Sequence, residues 1–385
     1  MRKAAISNWT FGSKPAVRSF LTAVGYSENY NRLLDNGGTI FTDSLLGVKE
    51  IVTREEPDAM LYDTDTYIDN EYYIAKMKKA FPFGIVTAGD SIKDLEIDII
   101  DSFANINLLY QRLTGSQEIL IKSYELVDCQ VEELEGYSLF HYSMDIDVNK
   151  ESMLYVQIPD QNQRYMIYLN DEVMTLPALE NESNQFFPDY FVTGLVSCGA
   201  HKEETVKVDI VCASEPETFA SVGVLNLGLM YEAVDVQNKY GREVDAGKNN
   251  LHYNIDVDKD DQYLMIPISY DGGYRVVRNG VTIEAETAIN GAFIYIPLVR
   301  GTNDIEIKFY PTGLFAGCLI SLGGALLAVL YIVFARKLDK CKYINSFAYY
   351  SFWICTAGMF AYIYVWQFFK TIVLYAKVFK YLYSL

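Results

Sequence analysis

Leu319-Ile-Ser-Leu-Gly-Gly-Ala-Leu-Leu-Ala-Val-Leu330 lies inside a longer stretch, Gly313 to Ala335, that contains no charged residue. A second uncharged stretch runs from Tyr343 to Phe369. A helix needs roughly 20 apolar residues to cross the hydrocarbon core of a bilayer, which is about 30 Å thick. Both stretches are long enough, so the sequence predicts two transmembrane helices, at 312–336 and 343–369.

The basic residues beside the first predicted span indicate its orientation. Residues 336–342 contain Arg336, Lys337, Lys340 and Lys342, whereas residues 298–312 contain only two basic residues. Lys and Arg next to spans tend to stay on the cytoplasmic side. We therefore expect a cytoplasmic loop at 337–342, and a large extracytoplasmic domain on a multi-pass protein of the plasma membrane. The spacing of apolar residues in 370–385 predicts an amphipathic tail.

An outer domain of this size needs a signal peptide or a preceding span. Residues 1–30 contain neither. We therefore expect the chain to be the C-terminal part of a longer multi-span protein. The alternative is a cytoplasmic domain held by a C-terminal helical hairpin, which would contradict the charge rule.

Composition and motifs exclude several classes of function. The net charge of −18 argues against a nucleic-acid partner, because phosphates need basic residues to neutralise them. Three of the six cysteines, Cys129, Cys198 and Cys212, precede the spans, without the spacing of a metal site or a disulfide framework. No nucleophile elbow, phosphate-binding loop or zinc-protease motif occurs. The sequence therefore predicts no catalytic residue, no cofactor and no metal site.

An internal repeat indicates the fold of the domain. The first copy contains His141–Lys150, Leu154–Pro159, Arg164–Asp171 and Thr205–Val211, and the second contains His252–Lys259, Leu264–Pro267, Gly273–Gly280 and Asp304–Phe309. Apolar residues alternate with polar ones in these segments, which is typical of half-buried antiparallel strands. Asn170-Asp171 and Asn279-Gly280 predict tight hairpins with positive φ.

These patterns predict a mixed, mainly β fold: an α/β segment, two β-sandwich-like units and then two transmembrane α-helices. The predicted divisions are a mixed segment at 1–120, a first sandwich at 121–215, a helical connector at 216–244 and a second sandwich at 245–311. Within the connector the pattern predicts one helix from Glu217 to Tyr240. Within the first segment it predicts helices at 15–24, 70–80 and 103–113, and either strands or buried turns at 85–87 and 97–100.

Short segments in a fixed order resemble a known family. They are Asp43-Ser-Leu-Leu-Gly-Val-Lys49, Asn70-Glu-Tyr-Tyr73, Phe81-Pro-Phe-Gly-Ile-Val86, Asn105-Ile-Asn-Leu-Leu-Tyr-Gln-Arg-Leu-Thr-Gly115, Tyr270-Asp-Gly-Gly-Tyr274, Asn279-Gly280 and Gly301-Thr-Asn-Asp-Ile-Glu-Ile-Lys-Phe-Tyr-Pro-Thr-Gly313. Together they are similar to the C-terminal half of the bacterial YfhO-type membrane proteins.

The resemblance implies a role in the cell envelope. Family members are multi-span proteins with a large extracytoplasmic domain, similar in plan to glycosyltransferases that use polyprenyl-phosphate sugars, and linked to the decoration of lipoteichoic or wall polymers. The catalytic carboxylate of such enzymes lies in an outer loop after the first span of the full protein, and this chain lacks those spans. The resemblance therefore implies an accessory half without its own catalytic site. Its implied partners are membrane lipid, a polyprenyl-linked sugar, an envelope polymer and an upstream multi-span subunit. The alternative is a membrane-anchored glycan-binding or adhesion module without enzymatic activity.

The resemblance also singles out one turn. The family position of Tyr274 is usually Trp, so this chain keeps an aromatic side chain there. Tyr274 is either a core residue at the start of a strand or, with Tyr270 and Asp271, a contact for a sugar or a lipid headgroup.

Overall fold

The computed structural model divides the chain into two compact units, residues 1–310 and 311–385. The residues that it describes are 9–10, 14–29, 32–34, 38–53, 56–68, 72–89, 91–95, 97, 101–134, 137–157, 165–174, 195–212, 215, 220–240, 242–246, 250–338, 342–366 and 368–370.

Two antiparallel sheets form the first sandwich. The five-stranded sheet has the spatial order Glu172–Val173, Tyr165–Leu169, Glu204–Cys212, Tyr137–Val148 and Cys129–Leu134. The four-stranded sheet has the order Leu195–His201, Ser152–Gln157, Ser221–Asn226 and Ile121–Glu125. Inward side chains of both sheets, including Ile146, Val208 and Val222, share one apolar core.

The second sandwich repeats this plan. Its five-stranded sheet has the order Arg242–Ala246, Asn250–Val257, Gly301–Phe309, Tyr274–Arg278 and Val281–Ile283. Its four-stranded sheet has the order Glu286–Ala288, Phe293–Pro297, Gln262–Ser269 and Ile85–Ala88. When the first sheet is read from its other end, the two five-stranded sheets pair their repeated strands in the same order. The predicted hairpin residues Asn170, Asp171, Asn279 and Gly280 all have positive φ. The prediction of a mainly β fold is confirmed.

The four-stranded sheets are covered on their second faces by a third core. Helices Pro15–Ala23, Ile40–Leu45, Ser102–Thr114 and Leu227–Asn238 contribute to it. Strand Ser152–Gln157 is therefore buried on both faces, which explains its nearly continuous apolar sequence. Two small sheets complete the described part of this region, one of Trp9–Thr10, Arg32–Leu34 and Ser27–Asn29, the other of Glu50–Thr53, Tyr72–Met77 and Tyr62–Ile68.

Two helix predictions are wrong in their bounds or type. The segment predicted as a helix at 70–80 contains strand Tyr72–Met77, because pairing with strands on both sides decides its conformation. The helix predicted from Glu217 to Tyr240 begins only at Leu227, after strand Ser221–Asn226. Asn226 marks the boundary, since its Oδ1 accepts a hydrogen bond from the amide of Leu229 at 3.3 Å and caps the helix.

One side chain of the third core closes a sheet edge. Ile85–Ala88 is the outermost strand of its sheet, next to Gln262–Ser269. Gln237 accepts a hydrogen bond from the amide of Val86 at 3.0 Å and donates one to the carbonyl of Val86 at 2.8 Å. The side-chain amide thus replaces a neighbouring strand at an edge that would otherwise stay unpaired.

The second unit contains the two helices that were predicted to span a membrane. They are Leu314–Leu338 and Lys342–Phe360, and the second continues as a π-helix at Ala361–Trp366. Apolar stretches long enough to cross a bilayer run from Leu314 to Phe334 and from Tyr349 to Lys370. The prediction of two candidate spans is confirmed. Most of the predicted tail, 371–385, and residues 339–341 of the predicted loop lie outside the described residues.

Candidate functional site

The turn that carries the predicted contact residues joins strands Gln262–Ser269 and Tyr274–Arg278. The amide of Tyr274 donates to the carbonyl of Asp271 at 3.1 Å, which closes a four-residue turn. The carboxylate Oδ1 of Asp271 accepts from the amide of Gly273 at 3.0 Å. An Asp at the first position of a turn makes this local bond readily, so the sequence Asp-Gly-Gly-Tyr fixes the bend.

Gly273 is required by a close approach of two backbone segments. Its carbonyl accepts from the amide of Tyr310 at 2.9 Å. A Cβ atom at Gly273 would lie 2.3 Å from the carbonyl oxygen of Tyr310, whereas nothing lies within 4 Å of one at Gly272. The absence of a side chain therefore lets the turn rest directly on the chain that follows strand Gly301–Phe309.

Four aromatic residues lie in this turn or on the strand end beside it, and we call them the aromatic edge: Tyr270, Tyr274, Phe309 and Tyr310. The rings of Tyr274 and Phe309 have their centroids 4.9 Å apart at an interplanar angle of 48°. Tyr270 and Tyr274 are half-buried against the core of the second sandwich, whereas Phe309 is 43% and Tyr310 54% exposed. Burial, and then the charge of Asp271, raise the pKa of the Tyr274 hydroxyl, so it stays protonated at neutral pH.

Asp271 is engaged by a cation from the start of the chain. Lys14 Nζ lies 2.7 Å from Oδ2 of Asp271 and donates to the carbonyl of Tyr270 at 2.5 Å. The hydrogen bond from Lys14, followed by that from the Gly273 amide, lowers the pKa of the Asp271 carboxyl. Both carboxylate oxygens thus have partners within the protein, and the turn offers a ligand its aromatic rings more readily than its carboxylate.

The structure brings the three predicted contact residues together in this one turn. Sequence reasoning missed Lys14, Phe309 and Tyr310, which complete the cluster. Lys14 carries no local signal, because its partner is far away in the chain. The Phe309-Tyr310 pair does carry one, since two adjacent aromatic residues stand just before an apolar span.

The histidines lie in other surroundings. His141 contacts Glu132 at 3.1 Å, His252 contacts Asp304 at 2.5 Å, and His201 contacts Glu204 at 2.9 Å. Each contacts a carboxylate, an arrangement common on the polar faces of sheets. In the part of the chain that the structure describes, no three His, Cys, Asp or Glu residues come together as metal ligands would.

Comparisons with known proteins give one informative family match. The model of a family described as "Bacterial membrane protein YfhO" matches residues 4–321. Over 99 residues, 25% of this chain, the sequence is 38% identical to "Uncharacterized protein YfhO" of Bacillus subtilis (strain 168). That match covers 11% of the relative, so the comparison reaches only a small part of its length.

Similarity to solved structures is slight. A GH2 β-galacturonidase from Eisenbergiella tayi, bound to galacturonate, has a TM-score of 0.19 at 7% identity, covering 50% of this chain and 38% of its own. An FMN-binding β-glucuronidase from Facaelibacterium prausnitzii L2-6 has a TM-score of 0.20 at 9% identity, covering 50% of this chain and 37% of its own. Scores this low do not establish a common fold.

Proposed function

Because the chain belongs to the YfhO family of bacterial membrane proteins, we propose that it serves lipid-linked sugar transfer to lipoteichoic or wall polymers as an accessory part without a catalytic site of its own. The observation that carries the proposal is the family match, which extends over both sandwiches and into the first span. In this proposal the sandwiches hold the acceptor polymer. A multi-span partner supplies the catalytic carboxylate and binds the polyprenyl-linked sugar.

The shape of the described domain supports a holding role. Its two sandwiches present long antiparallel sheets with polar outer faces, for example along Glu204–Cys212, where buried apolar residues alternate with partly exposed polar ones from Val206 to Ile210. Repeated sandwiches give extended surfaces suited to a repetitive polymer. Catalysis would instead need acids or nucleophiles with shifted pKa values, grouped in a cleft.

A reconstituted transfer assay tests the proposal. The chain is placed in liposomes with polyprenyl-phosphate hexose and lipoteichoic acid, alone or together with the upstream multi-span partner. We expect transfer only with the partner, and a loss of transfer when the partner is present without this chain. Turnover that copurifies with this chain alone would refute the accessory role.

A glycan-binding or adhesion module is the second candidate, and the aromatic edge favours it. Half-buried tyrosines with exposed faces can stack on sugar rings. Binding of the full chain to a glycan array, abolished by Tyr274→Ala and unaccompanied by any transfer with the partner, would favour this candidate over the first.

The proposal includes an extracytoplasmic domain and a cytoplasmic loop at 337–342 in the plasma membrane. Its support is the excess of basic residues at 336–342. In a chain without native cysteines, expressed together with the multi-span partner, Lys340→Cys should resist a membrane-impermeant thiol reagent in intact cells. Asn279→Cys, at an exposed hairpin, should react. The reverse labelling would refute this orientation.

A further inference from the structure

The apolar row of strand Gly301–Phe309 runs past the end of the second sandwich. Ile305 and Ile307 point into the core and are buried, and Phe309 continues the same row at the end of the strand. Phe309 is nevertheless 43% exposed, because the core ends there and its ring packs on Tyr274 alone among the described aromatic rings. The sandwich therefore presents apolar rings at this end.

The first candidate span begins a few residues after this end of the sandwich. Three residues, Pro311 to Gly313, separate Tyr310 from Leu314, where the apolar stretch of the first span begins. The four steps from Tyr310 to Leu314 cover at most about 14 Å of extended chain. The interfacial layer on each side of the hydrocarbon core is several ångströms deep, about 5–8 Å. A side chain at position 310 is therefore within reach of lipid headgroups.

The side chains at this end have the chemistry of an interfacial contact. Tyrosine combines an apolar ring with a hydroxyl that prefers water, and it is enriched at the headgroup level for that reason. Arg275 is exposed beside Tyr274 and lies opposite Lys308, whose own ammonium is paired with Glu306 at 2.6 Å. Basic residues next to aromatic ones are attracted by anionic lipids.

We propose that the aromatic edge binds the interfacial layer of the membrane, with its rings among the lipid headgroups. The occupant is a lipid surface, and the close packing of Gly273 on Tyr310 keeps the rings of Tyr274 and Phe309 together for it. This inference depends on the span that begins at Leu314 and not on sugar transfer. A negative transfer assay leaves it intact.

Fluorescence quenching by brominated lipid tests the inference in the full chain. Trp9, Trp353 and Trp366 are replaced by Phe, and Tyr310→Trp supplies the probe. The matched control is Val281→Trp, which is 63% exposed at the opposite, hairpin end of the same sheet. The vesicles contain phosphatidylcholine and phosphatidylglycerol with bromine just below the headgroups.

We expect the probe at 310 to lose at least half of its fluorescence in brominated vesicles and to be shielded from aqueous iodide. The probe at 281 should be insensitive to bromine and open to iodide. Equal responses at the two positions would overturn the inference. Circular dichroism and melting curves confirm that each variant is folded, and Tyr274→Trp provides a second probe should Tyr310→Trp fail to fold.

A glycan ligand gives a different pattern. If soluble cell-wall oligosaccharides shield the probe at 310 from iodide while brominated lipid leaves its fluorescence unchanged, the edge binds sugar and the lipid inference is wrong. If brominated lipid quenches the probe whether or not oligosaccharide is present, the inference holds.

Discussion

Gln237→Met should destabilise the edge of the second sandwich more than any surface change nearby. The two hydrogen bonds between the Gln237 amide and the backbone of Val86 would both be lost. Met has nearly the same length and no amide, so packing changes little while the polar partner disappears. Gln237 and Val86 are 6% and 2% exposed, so water cannot replace the missing groups.

The expected magnitude follows from these contacts. A buried N–H or C=O left without a partner costs about 1–3 kcal/mol, so two of them lower the free energy of unfolding by about 2–6 kcal/mol. Where exchange occurs through opening of this strand, that change corresponds to roughly 30- to 20,000-fold faster hydrogen exchange of the Val86 amide.

Hydrogen–deuterium exchange of the full chain in detergent measures the effect. Peptides that cover Ile85–Ala88 should lose protection in Gln237→Met. The control Val236→Met changes the neighbouring position, which is 49% exposed, and should shift stability by no more than about 0.5 kcal/mol. Exchange of the strand at the wild-type rate in Gln237→Met would show that Gln237 does not hold this edge.

Three further predictions concern single positions. Gly273→Ala should lower the free energy of unfolding by about 1–3 kcal/mol, because the added Cβ clashes with the backbone of Tyr310. Gly272→Ala should be nearly neutral. Coinciding melting curves of the two variants would contradict the close approach. Tyr155→Phe should lower the free energy of unfolding by about 1–2 kcal/mol, because the buried amide of Ile40 donates to the Tyr155 hydroxyl at 2.8 Å. Unchanged hydrogen exchange of the Ile40 amide would exclude this bond. Burial raises the pKa of the Cys198 thiol from 9.0 to about 12. Between these pH values the folded thiol keeps its proton while the unfolded one loses it. The contribution of the protonated thiol to the free energy of unfolding is therefore complete below pH 9 and is lost as the pH rises towards 12. Denaturation curves across that range should show a shallower decline for Cys198→Ala, and an unchanged slope would contradict the assignment.

Local patterns in the sequence predicted the features that depend on local physics. Asn170-Asp171 and Asn279-Gly280 adopt positive φ because their side chains tolerate it at little cost. The helix predicted at 103–113 occupies Ser102–Thr114, and Gly115 ends it in the left-handed conformation. The uncharged stretches form helices because a chain in hydrocarbon has to satisfy its backbone hydrogen bonds within the segment itself.

Contacts between residues far apart in the sequence determine the features that local patterns did not predict. Strand Ser221–Asn226 contains apolar residues that also fit a helix, and its pairing with Ser152–Gln157 and Ile121–Glu125 selects the extended form. Gly223 fits the strand because a Cβ there would lie 2.5 Å from the ring of Phe103. Lys14 was invisible as a member of the candidate site for the same reason, since only the fold brings it to Asp271.

Strand Ile85–Ala88 lies far from its partner strand in the sequence, and this separation matters while the protein is being synthesised. The ribosome releases this strand well before its neighbour Gln262–Ser269, because synthesis proceeds from the N-terminus. Helix Leu227–Asn238, which carries Gln237, emerges in between and can hold the waiting strand by one edge. A nascent chain that stalls between these two segments exposes the other edge to similar strands on neighbouring chains. Interrupted synthesis therefore exposes this strand to aggregation.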